Sequence, residues 1–282
     1  MNYWIQETYQ GHAQCLVTLL SHHYNIGKGP IYQFIKDKKI LINGGKIHGS
    51  YRIKNNDEII IKYPLIAGEA RSLQNNYYEA KNLNHYRAVA KEWKSMIVEE
   101  NSNFFVVNKP VGWATQDGTN SPYNLDDLLT YLEIPHYLVH RLDKDTSGLM
   151  LIAKNPQWAK LLTNLMMDKQ IVKKYTVVTE YDPRSHWEGW GYIGEDKGPS
   201  NSLTLFEKIK DVNGYSHWSA QLITGKKHQS RLHCYWEGIP VIGDKKYQGL
   251  KSSRLMLHSN EISWEHNGIN YKYMSPSPWE TI

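Results

Sequence analysis

The spacing of apolar residues predicts alternating strands and helices over much of the chain. The clearest helix follows Asn155, a favourable N-cap residue, and has Pro156 in its first turn. Its apolar residues recur at helical intervals and form one stripe that suits a protein core, namely Trp158, Leu161, Leu162, Leu165 and Met166. Short apolar runs predict strands at 104–107, 148–154, 173–180 and 217–224, and the pattern adds shorter helices at 125–133 and 228–236. This mixture indicates an α+β fold for residues 96–282.

Residues 1–63 follow a different order, in which two helices precede the strands. Helical spacing joins two sets of side chains, Leu16, Leu19, Leu20 and His23 in the first helix and Ile31, Phe34 and Ile35 in the second. The "NGG" at 43–45 suits a tight turn with positive φ and predicts a hairpin, and residues 57–63 predict a further strand. Residues 64–95 are polar with little periodicity, so we interpret them as a linker that is helical in part.

Positive charge is concentrated in residues 1–63. The chain of 282 residues has a formal net charge of +5, and this segment holds eight basic residues against four acidic ones, a net charge of +4. A compact basic segment beside a nearly neutral one is typical of a domain that binds a polyanion. The residues expected to make such contacts are Lys28, Lys36, Lys38, Lys39 and Arg52. On charge alone, a solvated lysine-rich face is an equally good interpretation.

The sequence shows no sign of a membrane span, a secretory signal or a metal site. Its longest apolar runs are far too short to cross a bilayer, and its first ten residues lack a basic stretch followed by an apolar one. Cys15 and Cys234 lack the paired spacing of zinc ligands or of a disulfide framework. We therefore expect a cytoplasmic protein without metal, cofactor or membrane contact, and we further expect a monomer.

The stretch "HRLDKDTSG" at 140–148 concentrates charged residues in a glycine-terminated turn, and two familiar sites fail to explain it. A calcium loop would place ligands at Asp143, Asp145 and Ser147, but its twelfth position, which should supply a bidentate glutamate, is Lys154. A phosphohydrolase loop of the DxDxT kind would need threonine at 147 and a preceding apolar strand, and "VHRL" is not one. Magnesium dependence would revive the hydrolase interpretation.

Four stretches of the chain together form an ordered set of motifs. They are "NKPVG" (108–112), "HRLDKDTSGLMLIAK" (140–154), "KKYTVV" (173–178) and "GKKHQSRLHCYWEGIPVIGDKKY" (225–247). In this order they resemble the motifs of RluA-type pseudouridine synthases, most closely the RluC-like branch, and residues 1–63 resemble an S4-type RNA-binding domain. The resemblance implies a mixed, mainly antiparallel sheet with flanking helices, plus a small S4-like α+β domain. It also implies an enzyme that isomerises uridine to pseudouridine in RNA without a metal or cofactor.

The resemblance implies a role for each of three residues in the reaction. Asp143 matches the family nucleophile, and Arg231 matches the cation that keeps that carboxylate ionised. Tyr175 matches the tyrosine that stacks on the target base. The alternative interpretations are a structural salt bridge between Asp143 and Arg231, and a strand tyrosine that only fills the core.

The resemblance also implies contacts with the RNA. Arg141 matches the residue that fills the gap left by an extruded base, and Leu232 matches an aliphatic side chain that closes the pocket. His140 and Lys109 belong to the expected substrate-binding set, in which Lys109 supports the floor of the site and His140 fixes the catalytic loop. We expect large-subunit ribosomal RNA as the substrate, with transfer RNA as the alternative. An RNA-binding ribosome assembly factor without catalysis is a further alternative.

Overall fold

The computed structural model describes residues 4–11, 13–24, 27–62, 83–116, 121, 123–132, 134–194 and 201–279. The chain forms two compact units, Met1–Lys91 with Asp127–Glu133, and Glu92–Asp126 with Ile134–Ile282. Most of the predicted linker, residues 64–82, lies outside the described residues. Across the ranges given above, no helix has the length and apolar character needed to span a bilayer.

The amino-terminal unit packs two helices against short antiparallel strands. Its elements are β1 (Trp4–Thr8), β2 (Gln14–Cys15), α1 (Leu16–Tyr24), α2 (Lys28–Lys36), β3 (Ile40–Ile42), β4 (Arg52–Ile53) and β5 (Glu58–Lys62). One sheet has the order β1-β5-β3, and β2 pairs with β4. Apolar side chains of α1, α2, β3, β4 and β5 form one buried cluster, as the helical spacing predicts.

The predicted hairpin of this unit is only partly present. The tight turn forms at Asn43 and Gly44, both with positive φ, and the Gly45 N–H donates to the Ile42 carbonyl at 2.8 Å. After the turn the chain makes a single bridge from Gly45 to Ile42 and no strand follows directly. The partner of β3 is instead β5, whose other neighbour is β1, a strand that the apolar pattern did not predict.

The larger unit is built on a ten-stranded sheet. Two helices of this part of the chain, α3 (Leu83–Ala90) and most of α5 (Leu125–Tyr131), belong to the amino-terminal unit. The elements of the larger unit are α4 (Trp93–Met96), β6 (Ile97–Glu100), β7 (Phe104–Lys109), β8 (Tyr137–Leu138), β9 (Ser147–Ala153), α6 (Pro156–Met167), β10 (Val172–Glu180), β11 (His186–Gly191), β12 (Ser202–Val212), β13 (Tyr215–Leu222), α7 (Gln229–Trp236), β14 (Leu257–His266) and β15 (Ile269–Met274). The order is β11-β12-β13-β10-β14-β9-β7-β6, with β15 beside β14 and β8 beside β9. The described pairs are antiparallel except β9 with β14, which confirms the predicted α+β class.

The buried strand β9 and the capped helix α6 form part of the core beside the motif at residues 140–148. All seven residues of β9 are buried, as expected for a continuous apolar run inside a sheet. The Asn155 side chain accepts a hydrogen bond from the Trp158 N–H at 2.9 Å and caps α6. Gly148 has φ +112°, and a Cβ at this position would lie 2.3 Å from the Ser259 carbonyl oxygen. Only glycine therefore allows β9 to begin so close to β14.

Strand β10 carries two side chains of the candidate site on one face. Lys173 and Tyr175 are two residues apart in a strand, so they point to the same side. Opposite them the register shifts, because Lys174 pairs with Glu261 and Tyr175 pairs with Ser259. Asn260 is the extra residue of this β-bulge. The bulge sets which residue of β14 lies beside Tyr175.

Candidate active site

Two cavities in the larger unit meet at Asp143. The first has a volume of about 490 Å³ and lies between residues 139–146, the start of β10 and residues 221–230. The second has a volume of about 310 Å³ and is lined mainly by charged side chains of the 141–145 and 243–246 segments. Arg141, Asp143 and His228 line both cavities. A carboxylate, a guanidinium and an imidazole therefore form the boundary between the two spaces.

The loop that carries Asp143 is held on both sides by hydrogen bonds. The Thr115 hydroxyl donates to the Leu142 carbonyl at 2.9 Å and accepts from the Leu142 N–H at 3.1 Å. On the other side, the Gly112 N–H donates to the Lys144 carbonyl at 2.9 Å. These bonds tie the catalytic loop to the chain that follows "NKPVG". Thr115 was not predicted as a site residue, because its partner lies far away in sequence.

Lys109 supports this loop from below. Its side chain is fully buried, and Nζ donates to the carbonyls of Pro110 at 3.0 Å, Trp113 at 2.8 Å and Lys144 at 3.3 Å. Burial lowers the pKa of Lys109 to about 7, although the Asp143 and Asp145 carboxylates oppose this decrease. This buried position does not support the expectation that Lys109 belongs to the substrate-binding set. The expected support of the floor agrees with its contacts.

The structure brings Asp143 and Arg231 together, but Arg231 is bound more closely to another acid. Arg231 Nη1 lies 3.4 Å from Asp143 Oδ2. Asp244 receives two shorter bonds, from Arg231 Nε at 2.6 Å and from Nη2 at 2.8 Å. Burial opposes the charge of Arg231, but the bonds to Asp244 and its negative charge raise the pKa of Arg231 further above its ordinary value. Sequence reasoning missed Asp244, which lies in a "GDKKY" stretch typical of an exposed turn.

His228 is a second neighbour of Asp143 that the sequence did not single out. Its Nε2 lies 3.7 Å from Asp143 Oδ2, and its Nδ1 lies 2.9 Å from the Tyr247 hydroxyl. The residue has φ 56°, a left-handed conformation directly before α7. Burial lowers the pKa of His228, while the negative charge of Asp143 acts in the opposite direction. His228 lies three residues before Arg231 in the stretch at 225–247, so the signal that identifies the arginine could also have identified the histidine.

Tyr175 lies in the wall of the first cavity and is almost completely buried. Burial raises the pKa of its phenol well above the ordinary value, and the nearby Asp143 carboxylate adds to the increase. The phenol is therefore neutral at physiological pH. A neutral, buried ring beside the carboxylate offers a flat surface to a base that enters the cavity.

Three further expected residues have different positions around the cavities. Arg141 is exposed and lines both cavities. His140 Nε2 accepts from the Leu151 N–H at 2.9 Å, and burial together with the charge of Lys173 lowers the pKa of His140 to about 3, so it fixes the loop as a neutral ring. Leu232 is partly buried but lines neither cavity, so its position does not support the expected closure of the pocket.

The basic residues expected to bind RNA in the amino-terminal unit differ in exposure. Lys36, Lys38 and Arg52 are exposed, and Arg52 Nη2 donates to the Ala13 carbonyl at 3.1 Å. Lys28 and Lys39 are partly buried, and the Lys39 ammonium lies 5.5 Å from the centre of the Phe34 ring. Three of the five are thus fully available to a polyanion.

Comparisons with known proteins agree with this geometry. Residues 103–236 match a family model described as RNA pseudouridylate synthase. Ribosomal large subunit pseudouridine synthase C of Rickettsia conorii is 32% identical over 258 residues, which cover 83% of each chain. Uncharacterized RNA pseudouridine synthase YlyB of Bacillus subtilis is 27% identical, and the match covers 88% of this chain and 85% of that protein.

Solved structures show the same fold. Human RNA pseudouridylate synthase domain containing 4 superposes with a TM-score of 0.59 at 22% identity, over 70% of this chain and 94% of that one. The fold, the ordered motifs and the similarity to the Rickettsia enzyme over most of both chains lead to one conclusion. The chain belongs to the RluA-type family of RNA pseudouridine synthases.

Proposed function

We propose that this enzyme isomerises uridines of large-subunit ribosomal RNA, with Asp143 as the nucleophile. The observation that carries the proposal is the position of Asp143, whose carboxylate lies where the two cavities meet and has only a long contact with Arg231. Several of its relatives are named as ribosomal large subunit pseudouridine synthases, which favours this RNA over transfer RNA.

The reaction needs an ionised oxygen close to the nucleoside and no change of oxidation state. The glycosidic bond between N1 of the uracil and the ribose carbon breaks, and its electron pair stays on N1. The uracil turns, its C5 forms a new bond to the same ribose carbon, C5 loses its proton and N1 gains one, so the product is an isomer of the substrate. In the proposal, the Asp143 carboxylate stabilises the fragment formed when the glycosidic bond breaks and is released when the new bond forms, and the neutral, buried Tyr175 stacks on the uracil and helps to transfer the proton from C5.

The two cavities suggest different tasks in holding the RNA. The first contains Tyr175, Leu142 and Leu257 and suits an extruded base. The second is surrounded by side chains that attract phosphate groups, Lys144, Lys227, Lys245, Lys246 and Arg254. Arg141 lies between them and is exposed, so its guanidinium is placed to occupy the gap in the RNA stack.

The catalytic assignment is tested by Asp143→Asn. The amide keeps the shape of the side chain but cannot act as an ionised nucleophile, so single-turnover isomerisation should fall by roughly a thousandfold or more. Release of tritium from uridine labelled at C5 measures the rate, and RNA affinity should change by less than about threefold. Activity within tenfold of the wild-type rate would refute the role of Asp143.

The RNA target is tested by mapping pseudouridine in cellular RNA with and without the gene. We expect the lost sites to lie in large-subunit ribosomal RNA. Their loss from transfer RNA alone would support the alternative substrate, and unchanged maps would support the assembly factor without catalysis. Restoring the gene with Asp143→Asn in place of the wild type separates catalysis from RNA binding, since only the active enzyme should restore the sites.

We also propose that residues 1–63 form an S4-like RNA-binding domain. The two helices followed by short strands, the net charge of +4 and the exposed side chains of Lys36, Lys38 and Arg52 support it. Replacing these three residues by glutamine in the full chain should reduce the slope of log affinity against log salt by about two to three, since each lost phosphate contact contributes about 0.7 to 0.9. A slope equal to that of the wild type would indicate that these three residues belong to a solvated face that does not bind RNA.

A matched control for that experiment lies in the larger unit. Lys160, Lys210 and Lys272 are exposed and line neither cavity. Their replacement by glutamine removes the same total charge, and we expect the salt slope to stay close to that of the wild type. A decrease equal to that of the amino-terminal variant would show that net charge, and not the proposed domain, determines the slope.

A further inference from the structure

Asp244 is a buried carboxylate that no step of the proposed reaction uses. Its side chain has no exposed surface, and it accepts four hydrogen bonds. Two come from Arg231, and two come from the backbone N–H groups of Lys246 and Tyr247, each at 3.0 Å to Oδ1. Burial opposes ionisation, but the bonds and charge of Arg231 and these backbone donors lower the pKa of Asp244. Asp244 is therefore a permanent negative charge beside the site.

The backbone around Asp244 holds this charge in place. Gly243 has φ +81°, and a Cβ at that position would lie 1.8 Å from the Arg254 carbonyl oxygen, so only glycine fits. The Asp244 carbonyl accepts from the Gly249 N–H at 2.9 Å, and the Asp244 N–H donates to the Val241 carbonyl at 3.0 Å. A carboxylate fixed in this way imposes its orientation on its partner.

Asp244 determines which edge of the Arg231 guanidinium remains for Asp143. The planar group has an edge formed by Nε and Nη2, and Asp244 occupies both donors of that edge. Only Nη1 is directed at Asp143, at 3.4 Å. The guanidinium carbon lies 5.1 Å from the centre of the Tyr247 ring, a contact that limits rotation further. One cation thus faces two carboxylates and is bound closely by the one that does not react.

We propose that Asp244 is a positioning residue for the isomerisation, and that it keeps Asp143 reactive by restricting Arg231 to a single, long contact. The proposal depends on the function proposed above for Asp143. A bidentate bond between Arg231 and Asp143 would occupy both carboxylate oxygens and reduce their ability to attack the nucleoside. By binding the Nε and Nη2 edge, Asp244 prevents that bond and leaves Asp143 with an accessible oxygen.

Other charged or titratable groups act on Asp143 from each element around it. They are Arg141, Lys144 and Asp145 of its own loop, Lys109 of β7, Tyr175 of β10, His228 and Arg231 at α7, and Tyr247 after it. Asp244→Asn substitutes none of these groups, and of their side chains only that of Arg231 is hydrogen-bonded to Asp244. If the ionisation of Asp143 changes in Asp244→Asn, the cause is therefore the release of Arg231 from its bonds to residue 244.

The test is the pH dependence of single-turnover tritium release by Asp244→Asn at saturating RNA. Arg231 should turn toward Asp143, so the rate at neutral pH should fall by about a hundredfold. Since the freed cation favours the ionised carboxylate, the acid limb of the profile should move to lower pH by about one unit. If Asp244 had a merely structural role, its substitution would reduce the amount of folded protein without moving the acid limb of the pH profile. A rate within twofold of the wild type, or a limb that stays in place, overturns the proposal.

Two further variants decide the outcome if Asp244→Asn does not fold. Asp244→Glu keeps the negative charge but is one methylene longer, so we expect a reduced rate and an unmoved acid limb, and a wild-type rate would overturn the proposal. His228→Gln should keep the acid limb of the pH profile. If the acid limb disappears in this variant, it reports on His228, and its assignment to Asp143 is contradicted. Asp143→Asn is measured in the same assay. An active Asp143→Asn would refute the proposed role of Asp143 as nucleophile. An inactive Asp143→Asn together with an Asp244→Asn that behaves like the wild type would refute only the positioning role of Asp244.

The matched control is Asp182→Asn. Asp182 is also a buried carboxylate bound by an arginine, with Arg184 Nη2 at 2.6 Å from its Oδ2, and it lines neither cavity. The substitution removes the same charge from the same kind of pair, so it should lower the stability of the fold and leave the acid limb in place. An equal movement of the limb in this control would overturn the proposal.

Discussion

The larger unit contains two arginines that are bound in the same way by a buried aspartate and then differ in their third contact. Asp182 binds Arg184 at Nε and Nη2, with distances of 2.6 to 3.1 Å, and Asp244 binds Arg231 at the same two nitrogens, at 2.6 and 2.8 Å. In each case Nη1 faces a further carboxylate. Arg184 Nη1 closes on Glu237 at 2.7 Å, whereas Arg231 Nη1 remains 3.4 Å from Asp143.

The two arginines differ because their second carboxylates, Glu237 and Asp143, differ in freedom of movement. The side chain of Glu237 is 42% exposed and lies near the end of α7, so it can adjust its position until it meets Arg184. Asp143 is 19% exposed and follows Leu142, whose N–H and carbonyl are both bonded to Thr115. The backbone of the loop holds Asp143 back. The long contact fits the proposal that Asp143 stays available to a substrate, and the short contact fits a structural role for Glu237.

The largest expected effect is the difference in activity between Arg231→Lys and Arg184→Lys. Lysine keeps the charge but not the planar fork, so Arg231→Lys should lower the single-turnover rate by roughly ten- to a hundredfold, and Arg231→Ala should lower it further. Arg184→Lys should reduce stability by about 1 to 2 kcal/mol while activity changes less than about twofold. Thermal unfolding and tritium release on the same preparations provide both values. Equal rate losses for the two lysine variants would show that the pairs do not differ in function.

A smaller effect is expected from releasing the loop with Thr115→Val. The variant has nearly the same shape but lacks the hydroxyl, so the Leu142 N–H and carbonyl lose a partner at a buried position, at a cost of about 1 to 3 kcal/mol in the free energy of unfolding. Asp143 would then be free to approach Arg231, and the rate should fall by about tenfold. Thr115→Ser, which keeps the hydroxyl, is the control and should retain most of the activity. A fully active Thr115→Val would mean that the loop does not hold Asp143 back.

The smallest effect should come from Glu237→Gln. This pair is partly exposed, and exposed ion pairs contribute little, so the free energy of unfolding should change by less than about 0.5 kcal/mol and activity should be unchanged. Arg184 would still be bound by Asp182. Denaturant unfolding and the tritium assay measure the two quantities, and a loss of activity would contradict the purely structural role of this contact.

Local patterns in the sequence predicted the elements that are stabilised by residues close to each other in the chain. The helix α6 was predicted from its cap, its proline and its apolar stripe, and the turn at residues 43–45 from its glycines. The strands β1, β6, β11, β12 and β15 were not predicted, because their own residues are largely polar or mixed. Of these five, only β1 pairs with a strand that is distant in the chain.

The candidate site was predicted from motifs and only partly from chemistry. The motifs identified Asp143 and Arg231, which are 88 residues apart and which no periodicity would join. They did not identify Asp244, since an aspartate among lysines indicates a solvated turn unless its burial is known. For Lys109 the resemblance implied support of the floor of the site, and only the fold shows how that support is made, with the ammonium bound to three carbonyls.

The β-bulge at Asn260 makes the site sensitive to strand length. Because β14 has one residue more than β10 at this point, Ser259 and not Asn260 lies opposite Tyr175, and the Asn260 carbonyl accepts from the Ser275 N–H at 2.8 Å. Loss of a single residue here would reverse the faces of part of the strand, since neighbouring side chains point in opposite directions. An insertion or deletion in β14 would thus rebuild the surroundings of Tyr175 while every residue of the motifs remained unchanged.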